Sequence, residues 1–379
     1  MTVFEKYAGT ASPSSTQTIF AHPNTWSSYG AQWNSGEQKV LKCCAVRDET
    51  HDVKTFIFRS DFTALSFEPG QFITVSPIIA GQSVSRCYTV SSSPTRPFTL
   101  SITVKRVPGG TVSNWLHDNL HEGDTLPASG PAGTFTPAGR PAHKLLYLSA
   151  GSGVTPLMSM TRAGFDMSAS LDIVFVHSAR TPIDIIFHDE LTRMEACWHG
   201  LRVINICEGR GVDTGWAGPI GRMDLPMLNG LVPDFKEREV FTCGPQGYMD
   251  AIKSLLERGR FDFQHYHQES FNIAVLNDEP LLEQASVRDQ QEDIFTVTLS
   301  RSCKTFSMPG NQTILSAAKK AGAIVPSSCS HGVCGTCKTV LLQGTVEMNH
   351  NGGIRQREID KGLRLLCCSK PTSDLVIDL

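Results

Sequence analysis

The chain has 379 residues, with 34 Lys and Arg against 37 Asp and Glu, a net charge of −3. Its 40% hydrophobic and 19% charged residues give the profile of a soluble globular protein, long enough for two or three domains. Near-neutral charge without a basic run argues against nucleic acid as a partner, and no stretch reaches the roughly 18 apolar residues of a membrane helix.

The N-terminus, MTVFEKYAGTASPSSTQT, lacks a charged-then-apolar signal pattern, so the expected compartment is the cytoplasm. In that reducing setting the 12 cysteines are expected as thiols or ligands rather than disulfides. Residues 1–37 are rich in Ser, Thr and Gly and read as a polar arm. Over 38–140 the runs KVLKCCAVRDE, VKTFIFRS, QFITVSP, RCYTVSS and PFTLSITVKRV are short, often alternating, and broken by Gly, Pro and Asp. They predict an antiparallel β-barrel. GGTVSNWLHDNLHEGD inserts a helix, with Ser113 as the expected N-cap and Trp115, Leu116 and Leu120 on one face.

Over 141–265 the alternation stops. KLLYLSAG, LDIVFVHSAR, LRVINICEG and REVFTCGP are apolar strands separated by helical stretches, and YMDAIKSLLERG is an amphipathic helix. That succession predicts an α/β domain on a parallel sheet. Residues 266–292 read as an acidic linker: Glu269, Asp278, Glu279, Glu283, Asp289 and Glu292 stand against Arg288 alone. A third unit, α+β in class, spans 293–379, so the chain reads as multidomain.

In that third unit Cys329, Cys334 and Cys337 are spaced C-x4-C-x2-C, and a distant cysteine is needed to complete four thiolates. This is the plant-type [2Fe–2S] spacing. Gly332 and Gly335 let backbone amides approach the sulfurs. Structural zinc is the alternative, although zinc sites favour paired C-x2-C or added histidine. Cys43, Cys44, Cys87, Cys197, Cys207 and Cys303 have no such arrangement and read as small packing residues. PSSCSHGVCGTCK and LLCCSKPTSDLVID resemble the plant-type ferredoxin family, which implies a β-grasp fold. The family's last ligand falls four residues before a P-x-S-D segment, which selects Cys367 over Cys368.

RCYTVSSSP, 86–94, resembles the R-x-Y-[ST] motif of the ferredoxin–NADP reductase superfamily. Arg86 offers a permanently charged fork for a pyrophosphate. Tyr88 suits the isoalloxazine or ribityl chain, and Thr89 places a hydroxyl near flavin N5. The resemblance assigns Gly110, Val112 and Ser113 of GGTVS to the FAD pyrophosphate, and lays Lys105 along the cofactor. FAD is the implied flavin, with FMN as the alternative.

SAGSGVTPLMS, 149–159, follows a strand and opens a helix, where amides and the helix dipole favour a phosphate. It resembles the GxGxTPxxS signature of the same superfamily, implicating Gly151, Gly153, Thr155 and Pro156. FTCGPQGYM resembles the C-G-P segment, which brings Cys243, Gly244 and Pro245 to the nicotinamide. Ser178 and Arg180 are candidates for the adenosine ribose. Only Arg180 and Arg210 are available to a 2′-phosphate, which favours NADH over NADPH. HYHQESF resembles the E-x-F ending of related modules, so Glu269 and Phe271 either meet the flavin–nicotinamide interface or start the linker. The candidate catalytic set is Thr89, Cys243 and Glu269.

The flavin, nicotinamide, ferredoxin order resembles reductase components of Rieske-type oxygenases, most closely the group serving glycine betaine monooxygenase. The resemblance implies NADH oxidation with electrons passed through FAD and a [2Fe–2S] cluster to a partner oxygenase. A reductase for another metalloprotein, such as a hybrid-cluster protein, is the alternative. The third unit holds ten Lys and Arg against six Asp and Glu, so its surface favours an acidic partner or its own flavin domain.

Overall fold

The computed structural model describes residues 38–59, 65–140, 142–213, 215–270, 293–302, 304–323, 325, 332, 335, 337–350, 354 and 356–379. The expected polar arm, most of the expected linker, and Cys303 lie outside these described residues.

The first unit contains β1 (Gln38–Thr50), β2 (Val53–Arg59), β3 (Phe72–Val75), β4 (Ile78–Ile79), β5 (Gln82–Ser83), β6 (Arg86–Thr89), β7 (Thr99–Lys105), α1 (Thr111–Asn119) and β8 (Thr125–Ala132). Six of its strands form one antiparallel sheet in the order β6-β3-β8-β1-β2-β7. The two outer strands meet: Val90 bridges Ile102, and the Ser91 N–H donates to the Ser101 carbonyl at 2.8 Å. The sheet thereby closes into the predicted barrel around Leu41, Phe56, Phe58, Ile73, Leu100 and Ile102, with Leu116 of α1 packed into the same core. Ser113 is not the N-cap of α1. The helix starts earlier, capped by Gly110, and Ser113 lies buried in its first turn with Oγ accepting from the Val107 N–H at 3.3 Å. A Cβ on Gly110 would fall 2.6 Å from that oxygen, so the tight turn excludes a capping side chain there.

The second unit contains β9 (Lys144–Ala150), α2 (Val154–Asp166), β10 (Asp172–Ala179), α3 (His188–Cys197), β11 (Leu201–Cys207), α4 (Leu225–Leu231), β12 (Glu239–Gly244), α5 (Gln246–Arg258) and β13 (Tyr266–Ser270). Its sheet is parallel throughout, in the order β11-β10-β9-β12-β13. The chain builds outward from β9 to β11, then returns to add β12 on the other side of β9. That reversal opens a crevice at the carboxyl ends of β9 and β12, where ligands of such sheets bind. Tyr266–Ser270 stand in the stretch read as linker. They form the fifth strand, because an edge strand tolerates the polar pattern YHQES. The sheet has a core on each face, one of which takes Val53 and Phe135 from the barrel side.

The third unit contains β14 (Ile294–Leu299), β15 (Lys304–Pro309), α6 (Ile314–Lys320), β16 (Lys338–Gln343), β17 (Val346–Met348), α7 (Gln356–Ile359), β18 (Leu363–Leu365), β19 (Ser369–Pro371) and β20 (Leu375–Ile377). The main sheet runs β15-β14-β20-β16-β18, with β14 and β20 parallel and the other pairings antiparallel. Ile314, Leu315 and Ala318 of α6 join Val297, Leu299 and Ile377 of the sheet in one core, the β-grasp arrangement. Among the described residues no helix is long and apolar enough to cross a membrane.

Candidate redox site

β6 pairs with β3 in the register Phe72↔Thr89 and Val75↔Arg86, which fixes the flavin-motif residues on a short barrel strand. The Thr89 hydroxyl is buried and has no partner among the described residues. Leaving such a group unsatisfied costs about 1–3 kcal/mol, so a bound polar group is the natural complement. Burial raises the Tyr88 phenol above its ordinary pKa, keeping it neutral. Arg86 Nη1 donates to the Ser85 carbonyl at 2.8 Å. Gly110, Val112 and Ser113 lie at the start of α1, and Lys105 ends β7 with its ammonium 2.8 Å from Asp52. Burial works against the Asp52 carboxylate, but the hydrogen bond and charge of Lys105 outweigh it and hold the pKa low.

On the other side β9 runs into a 3₁₀ turn, Gly151–Gly153, that opens α2. The Thr155 hydroxyl donates to the Ser152 carbonyl at 3.1 Å and braces the turn. Gly151 has φ +52, whereas Gly153 is held close to β12: a Cβ there would lie 2.2 Å from the Cys243 carbonyl oxygen. Pro245 is the N-cap of α5, in extended geometry, directly after Gly244. The turn and the end of β12 thus form one narrow cradle.

In register, Cys243 stands between Ser149 on β9 and Glu269 on β13. Burial, and then the charge of Glu269, push the Cys243 thiol far above its normal range. Burial pushes the Glu269 carboxyl up to about 8, and its Oε2 has no partner among the described residues. Near neutral pH this floor is therefore uncharged, a thiol beside a protonated carboxyl, suited to a flat heterocycle. The same row continues through His177, whose Nδ1 lies 2.8 Å from Ser149 Oγ. Burial, and then Lys105, push His177 down to about 4. Ser178 is half-buried at the end of β10, and Arg210 is exposed. Arg180 is exposed and reaches Asp184 at 3.2 Å and Asp52 at 3.5 Å. Its charge is already matched by carboxylates.

In the third unit Cys337 is 4% and Cys367 6% exposed. The Gly332 N–H donates to Cys367 Sγ at 3.1 Å, and the Cys367 N–H to Cys337 Sγ at 3.4 Å. Gly332 and Gly335 have φ +72 and +73, the left-handed turns that aim amides inward. Cys368 Sγ instead faces the Leu365 carbonyl at 3.6 Å. Two soft sulfur donors with N–H groups directed at them suit an iron–sulfur cluster. Cys329, Cys334 and Phe271 lie outside the described residues.

Two expectations differ from the structure. Cys197 does not pack; it is exposed at the end of α3. A contact between the first two units had no sequence signal: buried Arg162 of α2, paired within its own unit to Glu190, donates Nη1 to the Ser91 carbonyl at 2.5 Å.

Comparison with known proteins agrees with this three-unit fold. Residues 41–136 match the oxidoreductase FAD-binding domain, 147–254 the oxidoreductase NAD-binding domain and 297–372 the 2Fe-2S iron-sulfur cluster binding domain. The glycine betaine monooxygenase reductase subunit of Pseudomonas aeruginosa is 46% identical over 357 residues, covering 91% of this chain and 96% of that one. The stachydrine N-demethylase reductase subunit of Rhizobium meliloti is 39% identical, covering 89% and 95%. The solved structure of phthalate dioxygenase reductase superposes with a TM-score of 0.57 at 28% identity, covering 90% of this chain and 98% of that one. The chain belongs to the family of oxygenase reductases that join FAD-binding, NAD-binding and 2Fe-2S domains, the family of the glycine betaine monooxygenase reductase subunit.

Proposed function

We propose that the chain oxidises NADH in the cytoplasm and passes the electrons to a partner Rieske-type oxygenase, one that demethylates glycine betaine or a related quaternary ammonium compound. The observation that carries this reading is the near-complete alignment, across all three domains, with a glycine betaine monooxygenase reductase subunit. When bound, NADH supplies two electrons together, FAD accepts both, and the cluster forwards them one at a time. The working domain limits are 38–140 for FAD, 141–270 for NADH, which takes in the edge strand Tyr266–Ser270, and 293–379 for the cluster.

In this reading Arg86, Gly110, Val112 and Ser113 bind the flavin phosphates, and Tyr88 and Lys105 line its body. The unpaired Thr89 hydroxyl faces the flavin. Gly151, Gly153, Thr155 and Pro156 hold the dinucleotide phosphates, with Ser178 and Arg180 at the adenosine end. Asp52 and Asp184 beside Arg180 oppose a further phosphate charge, which supports NADH over NADPH. Cys243, Gly244, Pro245, Glu269 and Phe271 shape the nicotinamide floor and exclude water. Cys329, Cys334, Cys337 and Cys367 hold the cluster.

The test mixes the purified chain with the oxygenase component of a glycine betaine demethylase and measures NADH-dependent demethylation. Expected are flavin and cluster absorption, a paramagnetic signal on reduction, and turnover with NADH well above NADPH. A zinc-containing protein without cluster absorption overturns the electron-transfer reading. Efficient reduction of a different metalloprotein, with none of the oxygenase, overturns the partner.

A further inference from the structure

Two cofactors carried on two separate folds react only if their atoms approach to about 3–3.5 Å, and a misplacement of about 1 Å costs about a hundredfold in rate. Something in the protein must therefore hold the nicotinamide unit against the flavin unit. Helix α2 is placed to do so. It begins at the glycine cradle and is 13 residues long, about 20 Å at 1.5 Å per residue. Ser159, Arg162 and Asp166 fall at i, i+3 and i+7, on one face. All three meet the segment Ser91–Arg96, which leaves the flavin motif two residues after Thr89. Ser159 Oγ donates to the Ser92 carbonyl at 2.7 Å, Arg162 Nη1 to the Ser91 carbonyl at 2.5 Å, and Thr95 Oγ1 to Asp166 at 2.5 Å.

These contacts are unequal. The Arg96–Asp166 pair is a surface pair, with Arg96 57% exposed, and such pairs contribute little. Arg162 is 8% exposed. Its Nε and Nη2 grip Glu190 of α3 at 2.8 and 2.7 Å, leaving Nη1 for Ser91. Its guanidinium lies 4.8 Å from the centre of the Phe187 ring. Phe187 takes the left-handed φ of +60 just before α3, a conformation the stacked arginine helps to retain. Burial opposes the Glu190 carboxylate, but the hydrogen bond and charge of Arg162 hold its pKa low.

The far end of the clamp is equally fixed. The Ser91 N–H bonds the Ser101 carbonyl, and Ser91 Oγ lies 3.0 Å from Ser101 Oγ and 2.9 Å from Thr103 Oγ1, both buried on strand β7 of the barrel. The Ser91 carbonyl is thus a rigid part of the flavin unit, and Arg162 and Glu190 belong to the nicotinamide unit.

We infer that Arg162 is the positioning residue of the NADH–flavin step: by fixing α2 to the Ser91 carbonyl it sets how closely the nicotinamide and flavin approach. The inference rests on the NADH-to-flavin reading above. A lysine can make one of these contacts but lacks the planar fork needed for all three.

The test uses the full-length holoprotein with Arg162→Gln and Arg162→Lys. Flavin content, amide hydrogen exchange and anaerobic flavin reduction by NADH are compared with wild type. Both variants are expected to keep their flavin and to half-saturate with NADH within twofold of wild type. Their limiting reduction rates fall tenfold or more for Gln and several-fold for Lys. Exchange rises in 91–96 and 154–166 while 99–105 stays protected. Wild-type rates with wild-type exchange overturn the inference. So does loss of flavin in the Lys variant, which would make Arg162 a general folding residue. If the Gln variant does not fold, the Lys variant decides. If the wild-type flavin is not reduced by NADH at all, the proposed function fails instead, and the exchange comparison still decides the clamp.

Discussion

Gly151 and Gly153 stand two residues apart in the nicotinamide cradle and are glycines for different reasons, so substitution there should have different costs. Gly151 has φ +52 and open space where a Cβ would point. A side chain meets only the left-handed backbone cost, about 1–2 kcal/mol, and Asn is suited to that conformation. Gly153 has an ordinary helical φ of −63. Its Cβ would sit 2.2 Å from the Cys243 oxygen, 2.4 Å from its carbonyl carbon and 2.6 Å from the Gly244 nitrogen. Reaching ordinary van der Waals separation requires a retreat of more than about 1 Å between turn and strand. Overpacking of this kind costs about 1–3 kcal/mol, and the upper end applies because the obstruction is backbone. Gly153→Ala should therefore lower the melting midpoint of the flavin-bearing part by about 6–12 °C. It should also slow NADH-dependent ferricyanide reduction at least tenfold, while Gly151→Asn keeps a near wild-type melting midpoint. A Gly153→Ala protein with wild-type midpoint and rate would refute the argument. So would a Gly151→Asn protein as destabilised as Gly153→Ala.

Cys367→Ser should abolish the cluster's visible absorption and paramagnetic signal while leaving NADH–ferricyanide activity within about twofold; Cys368→Ser should keep the cluster, because its sulfur faces Leu365 rather than Cys337. Arg86→Ala should weaken flavin retention at least tenfold, measured as flavin released on dilution, and unchanged retention would remove Arg86 from the pyrophosphate. Glu269 carries its proton up to about pH 8 in the fold, against an ordinary value of 4.5. The unfolded chain releases that proton first, so stability falls as pH rises from 4.5 to 8 and levels off above. Glu269→Gln should flatten that slope and stabilise the protein at pH 8 by at most about 5 kcal/mol, and parallel wild-type and variant curves in pH-dependent denaturant melts would refute it.

The architecture was legible where chemistry is local. Alternation in VKTFIFRS and TLSITVK announced half-buried strands, the unbroken apolar run of LDIVFVHSAR announced a sheet covered on both faces, and SAGSGVTP announced a strand-to-helix turn. What stayed hidden depended on partners far along the chain. Arg162 carries no signal within VTPLMSMTRAGFD, because its carboxylate lies 28 residues on and its carbonyl 71 residues back. YHQES read as linker because an edge strand shows its polar side, although His267 packs its ring 4.7 Å from Phe241. Ser113 matched the usual capping residue, but a tight Gly110 turn took the position instead. The polar row through His177, Ser149, Cys243 and Glu269 is created by strand register, which no single segment encodes.

Among the described residues the cluster-bearing core draws only on positions from Val297 onward, whereas the parallel sheet shares Val53 and Phe135 with the barrel. Heat should then register as two calorimetric events, one for the shared flavin–nicotinamide body and one for the β-grasp unit. The division has a physiological cost. Oxidants that destroy the cluster would disable one unit and leave the other consuming NADH. With its proper exit gone, that body would hand electrons to dissolved oxygen, so a half-damaged copy would harm the cell more than a missing one.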